Sequence, residues 1–188
     1  MTLTTPRTTV LLLAALLLAA CSTTPPPRTG SWKPDRSLAR IEASGDAREV
    51  VMVALGLLDV GYQFGGKNPE AGLDCSGMAA FIYRNAVGVS LPHNAAEIAN
   101  RTRPVNKNEL QAGDMVFFNT MNRPYSHMGV YLGDGKFIHA PRTGASVRVE
   151  SMQTSYWARR FDGARRVEGA DASATTAAAY SALGPLQP

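Results

Sequence analysis

Cysteine and histidine are scarce in this sequence. Its 188 residues include two cysteines, Cys21 and Cys75, and three histidines, His93, His127 and His139. Because Cys21 follows a hydrophobic leader, Cys75 has no partner for a disulfide within the folded part of the chain, and a disulfide-stapled scaffold is excluded. No group of cysteines and histidines has the spacing of a zinc site. We therefore expect no bound metal.

Neither sign of charge predominates. The chain has 19 basic and 15 acidic side chains, a formal net charge of +4. The first twenty residues contribute Arg7 and no acid, so the remainder has 18 basic and 15 acidic side chains and a charge of +3. An arginine-rich stripe, which is typical of proteins that bind nucleic acid, is missing. We therefore predict no nucleic-acid partner.

Long hydrophobic runs are limited to Val10–Ala20, which follows Arg7 and contains only Val, Leu and Ala. Eleven residues are too few to span a bilayer but are typical of the hydrophobic region of a signal peptide. The run ends in Leu18-Ala19-Ala20-Cys21, which resembles the lipobox of bacterial lipoproteins. The resemblance implies that residues 1–20 are removed, that Cys21 is lipidated and that the lipid attaches the protein to a membrane. Ser22 implies the outer membrane, facing the periplasm. The alternative is an ordinary secretory signal.

The rest of the chain divides into three segments by composition. Residues 21–45 are rich in Pro, Ser and Thr and are predicted to be a tether. Residues 46–167 are long enough for one domain with a single core. Residues 168–188 form a low-complexity tail that we expect to be disordered.

Helices are predicted first along the domain and strands afterwards. The predicted helices are 47–58 after the cap Asp46, Cys75–Val87 after the cap Asp74, and a short helix after the cap Asn94. Beyond residue 110, short β-type runs are separated by turn residues: DMVFFN, HMGVYL, KFIHA, SVRVE and FDGARRV. This order predicts an α+β fold with N-terminal helices packed on an antiparallel β-sheet.

Cys75 is the first candidate for chemistry. At the start of a predicted helix, free N–H groups and the helix dipole stabilise a thiolate, which predicts a lowered pKa. The small neighbours Ser76 and Gly77 would let another chain approach the thiol. His127, on a predicted strand, could act as its general base. The alternative is a small buried hydrophobic residue.

The turn between two predicted strands decides whether His127 and His139 share a face of the sheet. A two-residue loop that pairs residue 133 with 136 puts the two histidines on opposite faces. A three-residue loop of Gly133, Asp134 and Gly135 pairs 132 with 136 and puts both on one face. Such a loop needs a residue in the left-handed conformation at its end, and Gly135 suits that position. A paired histidine site therefore predicts the three-residue loop.

Four motifs, YQFGG, DCSG, GDMVFF and SHMGVYLGDGKFIHA, occur in the order typical of the NlpC/P60 family of peptidoglycan cysteine peptidases. The sequence resembles that family over about residues 47–167. The resemblance implies a papain-like core, with Cys75 as nucleophile, His127 as base and His139 as the residue that orients His127. It also implies that Tyr62 lines the site. Tyr62 and Ser76 are the candidate substrate-binding residues; the alternatives are a core position for Tyr62 and a purely structural role for Ser76.

The resemblance implies a monomeric hydrolase that cleaves amide bonds in the peptide stems or cross-links of peptidoglycan, without metal or organic cofactor. The bond that is cleaved stays open. One alternative is a non-catalytic cell-wall-binding lipoprotein on the same fold. Another is a related papain-like amidase or acyltransferase, although the chain order Cys, His, His favours the peptidase.

Overall fold

The computed structural model describes residue 43 and residues 45–167. The predicted signal peptide, nearly all of the tether and the C-terminal tail lie outside the described residues. In chain order the helices are α1 (Gly45–Leu55), α2 (Cys75–Val87), α3 (Ala95–Arg101) and α4 (Ser155–Ala158). The strands are β1 (Lys67–Asn68), β2 (Gly72–Leu73), β3 (Arg103–Val105), β4 (Met115–Phe118), β5 (His127–Gly133), β6 (Lys136–His139), β7 (Arg148–Ser151) and β8 (Phe161–Arg166).

Two predicted helix starts are confirmed by their caps. The Asp74 side chain accepts a hydrogen bond from the Gly77 N–H, and the Asn94 side chain accepts one from the Glu97 N–H. Both satisfy backbone donors that have no partner inside the helix. Helix α2 ends as predicted at Gly88, which has a φ of 71° in the left-handed region.

The boundaries predicted for the first helix are wrong. Helix α1 begins at Gly45, so Asp46 lies in its first turn and is not its cap. The helix ends at Leu55, three residues before the predicted end. Beyond it, the N–H groups of Leu57 and Leu58 bond to carbonyls three residues back, which is the pattern of tighter turns. Leu57 is still buried against the core. Leu57 is apolar because it packs against the core, although it lies beyond the end of the α-helix.

Six strands form one antiparallel sheet in the order β3-β8-β4-β5-β6-β7. Because side chains alternate along a strand, the sheet has two different faces. One face packs on α1 and α2 through buried residues that include Phe117, Met128 and Ile138. The other face carries a smaller aromatic cluster that includes Phe118, Phe137 and Trp157. The predicted α+β class with helices on an antiparallel sheet is confirmed.

The β5–β6 turn differs from the predicted three-residue loop. Gly133 pairs with Lys136, so the loop contains only Asp134 and Gly135, both with positive φ. A bulge between Tyr131 and Gly133 then shifts the register, and beyond it Tyr131 pairs with Phe137. The inserted residue restores the pairing that places 129 opposite 139. The two histidines share a face as expected, but a bulge achieves this and not a longer loop.

Candidate active site

The start of α2 is fastened to the glycine-rich loop at residues 61–66 by Asp74. Its Oδ1 accepts hydrogen bonds from the Gly77 N–H at 2.7 Å and from the Ser76 hydroxyl at 3.0 Å. Its Oδ2 accepts the Gly65 N–H at 3.0 Å, and its own N–H donates to the Gly66 carbonyl. A single carboxylate therefore caps the helix and holds the loop beside it, which fixes where Cys75 begins the helix.

Helix α2 and this loop touch where Gly77 faces Gly66. A Cβ atom at Gly77 would lie 1.9 Å from the Gly66 carbonyl oxygen, and one at Gly66 would lie 2.3 Å from the Gly72 carbonyl oxygen. Neither contact can be relieved by moving a side chain, because both involve backbone atoms. The glycine after Cys75-Ser76 is therefore required for the close approach of the loop that surrounds the thiol.

We expect Gly77→Ala to lower the free energy of unfolding by about 3 kcal/mol, since overpacking against fixed atoms typically has that effect. Urea denaturation followed by circular dichroism measures it. Gly61→Ala is the matched control, because its added Cβ would meet no atom within 4 Å, and we expect it to change stability by less than about 0.5 kcal/mol. Equal stability of the two variants would contradict the packing described for Gly77.

Cys75 is a free, partly exposed cysteine at the first position of α2. Helix α2 packs against β5. The backbone N–H groups of Met128, Ser76 and Cys75 itself lie close enough to the Cys75 sulfur to act on the pKa of the thiol. The N–H of Met128 therefore brings the thiol to the start of β5, where His127 is the preceding residue.

The lowered thiol pKa predicted from the helix start is wrong. Burial, followed by the charge of Asp74, raises the pKa of Cys75 to about 11, although the N–H groups of Met128, Ser76 and Cys75 act in the opposite direction. The free-energy cost of removing a thiolate from water is larger here than the stabilisation that the helix terminus provides. The resting site therefore holds a protonated thiol.

Tyr62 and Ser76 have different positions relative to the thiol. Burial raises the pKa of the Tyr62 phenol, and the charges of Cys75 and Asp74 raise it further, which places the phenol close to both. Ser76 is 5% exposed, and its hydroxyl donates to Asp74. The hydroxyl of Ser76 thus belongs to the helix cap. The substrate-binding roles of both residues stay predictions.

His127 and His139 form a buried pair on the aromatic face of the sheet. Nε2 of His127 lies 2.8 Å from Nδ1 of His139. Gly129 stands opposite His139, and a Cβ there would come within 3.1 Å of the His139 Cβ and 2.5 Å of the Ile138 carbonyl oxygen. The absence of a side chain at Gly129 lets the two strands, and with them the two rings, come together.

An indole and a carboxylate complete the surroundings of this pair. The ring of Trp157 stacks on His127 at 5.6 Å between centroids with planes 22° apart, and it meets His139 edge to face at 5.1 Å. Glu150, on β7, places Oε1 at 3.4 Å from Nε2 of His139. Sequence analysis missed both residues. The signal available was weak: a glutamate and a tryptophan on short elements next to the histidine strands.

Both imidazoles are neutral in the resting site. Burial lowers the pKa of His127 to about 3, and the charge of His139 acts in the same direction, against a smaller opposing effect of Glu150. Burial also lowers the pKa of His139 to about 4, although Glu150 acts to raise it. With a thiol pKa near 11, the site rests as a neutral thiol beside neutral histidines and not as a thiolate–imidazolium pair.

This resting state predicts the pH dependence of thiol alkylation. In a Cys21→Ala variant, which leaves Cys75 as the single cysteine, we expect the rate of alkylation by iodoacetamide to rise continuously with pH between about 5 and 10. The reason is that only the thiolate reacts, and its fraction grows up to the thiol pKa. Mass spectrometry of quenched samples measures the rate. A plateau at neutral pH would reveal a preformed thiolate and contradict the neutral state.

The third histidine, His93, differs from the other two in its exposure. His93 is exposed in the segment before α3, whereas His127 and His139 are buried. Within residues 43 and 45–167, no group of three or more His, Cys, Asp or Glu side chains could hold a metal ion. No helix in the same part of the chain is long and apolar enough to cross a membrane.

Known proteins resemble this chain in sequence and in fold. The sequence profile of the NlpC/P60 family matches residues 59–166. The chain is 42% identical over 109 residues to murein DD-endopeptidase MepH of Escherichia coli K12, covering 56% of this chain and 40% of that protein. It is 33% identical over 144 residues to gamma-DL-glutamyl hydrolase of Bacillus subtilis 168, covering 74% of this chain and 34% of that protein.

Solved structures have the same fold. The crystal structure of the NlpC/p60 domain of the peptidoglycan hydrolase SagA superposes with a TM-score of 0.57 at 30% identity, covering 64% of this chain and 98% of that domain. The chain spans less than half the length of MepH and of the Bacillus hydrolase. The family match, which extends from the glycine-rich loop to β8 and includes both the thiol and the paired histidines, shows that the chain belongs to the NlpC/P60 family.

Proposed function

We propose that the protein is a cysteine endopeptidase that hydrolyses amide bonds in the peptide part of peptidoglycan. The observation that carries this proposal is the 2.8 Å contact between His127 Nε2 and His139 Nδ1. His127 is followed on β5 by Met128, whose N–H acts on the pKa of the Cys75 thiol. A nucleophile, a base and a group that orients the base are the components of thiol-dependent acyl transfer. All three belong to the segment that matches the family.

The proposed reaction starts from the neutral thiol. Because His139 occupies Nε2 of His127, Nδ1 is the nitrogen left to accept the Cys75 proton as the sulfur attacks the carbonyl carbon. The Cys75 N–H, at the open end of α2, donates to the oxyanion. The protonated His127 then gives its proton to the leaving amine, and a thioester remains. His127 next removes a proton from water, which attacks the thioester and regenerates the thiol.

Raised thiol pKa and lowered histidine pKa suit this order of events. A histidine that is neutral at physiological pH has a lone pair free to accept a proton. Its low pKa makes transfer from the resting thiol unfavourable, so the transfer must accompany attack on the carbonyl and not precede it. Trp157 stacks on His127, the ring that becomes positive, and the negative charge of Glu150 beside His139 acts to raise the pKa of His127. The ion pair is thus formed during the reaction and not before it.

The substrate proposal follows from the relatives. MepH is named a murein DD-endopeptidase, the Bacillus relative a gamma-DL-glutamyl hydrolase, and SagA a peptidoglycan hydrolase. All three names describe hydrolases, and two of them, MepH and SagA, name the cell-wall polymer. For this chain we propose peptidoglycan peptide stems or their cross-links as the substrate, bound beside Tyr62.

Digestion of purified muropeptides, with products identified by mass spectrometry, tests this function. Cross-linked dimers would be converted to monomers by a cross-link cleaver, whereas monomeric stems would be shortened by a stem cleaver. Turnover of either substrate by the wild type and none by Cys75→Ala supports the proposal. Binding of muropeptides without turnover would favour the non-catalytic cell-wall-binding protein. Transfer of the acyl group to an added amine would favour the acyltransferase.

We further propose that the protein is a monomer held to the outer membrane, facing the periplasm, through a lipid on Cys21. The lipobox pattern at Leu18–Cys21 supports this location. An acylated terminus with more than one chain holds a protein stably at a membrane. The tether would then allow the domain to reach the polymer from the membrane surface.

Cys21→Ala is expected to move the protein from the membrane fraction to the soluble fraction and to abolish incorporation of radiolabelled palmitate. Muropeptide turnover by the purified variant should stay at the wild-type level, because Cys21 lies outside the catalytic domain. Cys75→Ala is the matched control and should stay with the membrane. Unchanged fractionation of the Cys21 variant would refute the lipid anchor.

A further inference from the structure

Glu150 lies one strand beyond the paired histidines. Strand β6 pairs with β7 so that Phe137 is opposite Glu150 and His139 is opposite Arg148, which puts Glu150 on the same face of the sheet as His139. Its Oε1 is 3.4 Å from His139 Nε2. The His139 ring is fully buried, and Nε2 forms no well-aligned hydrogen bond within the part of the chain that the structure describes. The carboxylate of Glu150 is the acceptor that faces this nitrogen.

Two donors hold the Glu150 carboxylate in place. The indole N–H of Trp157 donates to Oε2, and Nε of Arg148 donates to Oε1 at 2.5 Å. The same indole stacks on His127, so one side chain contacts both the carboxylate and the base. Partial burial acts to raise the pKa of the Glu150 carboxyl. The bonds from Trp157 and Arg148 and the charge of His139 outweigh it, so the pKa lies below its usual value. Glu150 is therefore ionised at neutral pH.

An ionised carboxylate can only accept hydrogen bonds. It therefore determines which ring nitrogen carries the proton, first in His139 and then in His127. The proton of neutral His139 is drawn to Nε2, which leaves a lone pair on Nδ1. The nitrogen that meets Nδ1 at 2.8 Å, Nε2 of His127, must then carry a hydrogen. The lone pair of neutral His127 is thereby left on Nδ1, the nitrogen that faces away from His139.

We propose that Glu150 is a positioning residue that selects the tautomers of both histidines, so that Nδ1 of His127 is the basic nitrogen of the site. The inference rests on the proposed function, because that nitrogen is the base of the proposed reaction. Glu150 would also favour the protonated form of His127 during catalysis, since its charge acts to raise the pKa of both rings. Arg148 opposes this effect at His139 but is half exposed, which weakens it.

Nitrogen NMR of the full chain, labelled with ¹⁵N at histidine, tests the assignment without any assay of activity. The chain has three histidines, and the exposed His93 serves as an internal reference. We expect both His127 and His139 to carry their proton on Nε2 in the wild type. In Glu150→Ala, Nδ1–H tautomers should appear on both. In Glu150→Gln, whose amide oxygen can still accept from His139, the wild-type tautomers should persist.

Kinetics provide the second measurement. We expect Glu150→Ala to lower kcat about 10- to 100-fold, the size of loss that follows removal of a partner that orients a metal-bound histidine. KM should change little, because Glu150 is not placed in contact with substrate. Glu150→Gln should recover most of the loss. Glu97→Gln is the matched control: this glutamate pairs with Arg101 on α3, and its change should leave tautomers and kcat at wild-type values.

The outcomes separate this inference from the proposed function. Unchanged tautomers in folded Glu150→Ala would overturn the role of Glu150 whatever the activity. Shifted tautomers together with a wild type that turns over no muropeptide would refute the endopeptidase but support the role of Glu150 in the histidine pair. A fall in kcat that Glu150→Gln fails to recover, without a tautomer change, would also overturn the inference.

Discussion

Cys75→Ala is expected to abolish muropeptide hydrolysis, with a fall in kcat of roughly 10⁶, the size of loss that follows removal of the nucleophile from a catalytic triad. Alanine cannot form the thioester, and no other thiol is available in the domain, because Cys21, the other cysteine, precedes Cys75 by more than fifty residues and lies before the domain. Chromatography of muropeptide digests measures the loss.

The structure also predicts that this variant folds. Cys75 is only partly buried, and the start of α2 is held by Asp74 through backbone groups and the Ser76 hydroxyl, none of which needs the thiol. The thermal unfolding temperature should therefore stay close to that of the wild type. Residual turnover above about a thousandth of the wild-type rate would contradict a thioester mechanism, since oxyanion stabilisation and binding alone leave far less.

Substitution of the two buried histidines by alanine should reduce kcat by different amounts. His127→Ala is expected to reduce kcat as much as Cys75→Ala, because His127 moves a proton in both half-reactions. His139→Ala should cost about a hundredfold less, in keeping with a residue that only orients the base. The same muropeptide assay compares them.

His139→Asn makes the comparison sharper. Removal of the fully buried His139 ring leaves a space beside Phe137 and Trp157, so the alanine variant could lose activity through misfolding. The side-chain oxygen of asparagine can occupy the position of Nδ1 and accept the His127 Nε2–H. We expect His139→Asn to retain more activity than His139→Ala, with a circular dichroism spectrum like that of the wild type. His93→Ala is the control and should stay active within about threefold.

Two results would contradict these assignments. Full activity in His139→Ala would mean that the 2.8 Å contact with His127 has no part in catalysis. Loss of activity in His93→Ala would mean that an exposed histidine, and not the buried pair, serves the reaction.

Local chemistry explains which features the sequence determined by itself. Asp74 and Asn94 predicted two helix starts because a capping side chain bonds to a backbone N–H only two or three residues away. Strands β5 and β6 were predicted because the β-type residues within them and the glycines between them are signals that extend over only a few residues. Cys75, His127 and His139 were named through motifs, and the structure brings the two histidines into contact and places the thiol near the start of β5, the strand of His127.

Other local signals were overridden by packing. Asp46 as a cap predicted a helix start at residue 47, two residues after the observed start at Gly45. The predicted end at residue 58 lies three residues beyond the observed end at Leu55. In both cases the local pattern is compatible with more than one backbone path, and contacts with the core select among them. The short strands β1, β2 and β3 and the helix α4 were not predicted, because segments of two to four residues contain too little periodicity.

Only the tertiary structure decided the register of β5 and β6, the protonation state of the Cys75 thiol and the contact of Glu150 with the histidine pair. A two-residue turn would have separated the histidines, and the bulge between Tyr131 and Gly133 reverses that outcome through a one-residue shift. The helix start predicted a lowered thiol pKa, whereas burial of Cys75 raises it. Glu150 was invisible in the sequence, since its contact with His139 depends on the pairing of β6 with β7. Strand register and burial both depend on contacts between residues that are far apart in the sequence, so neither can be read from a local motif.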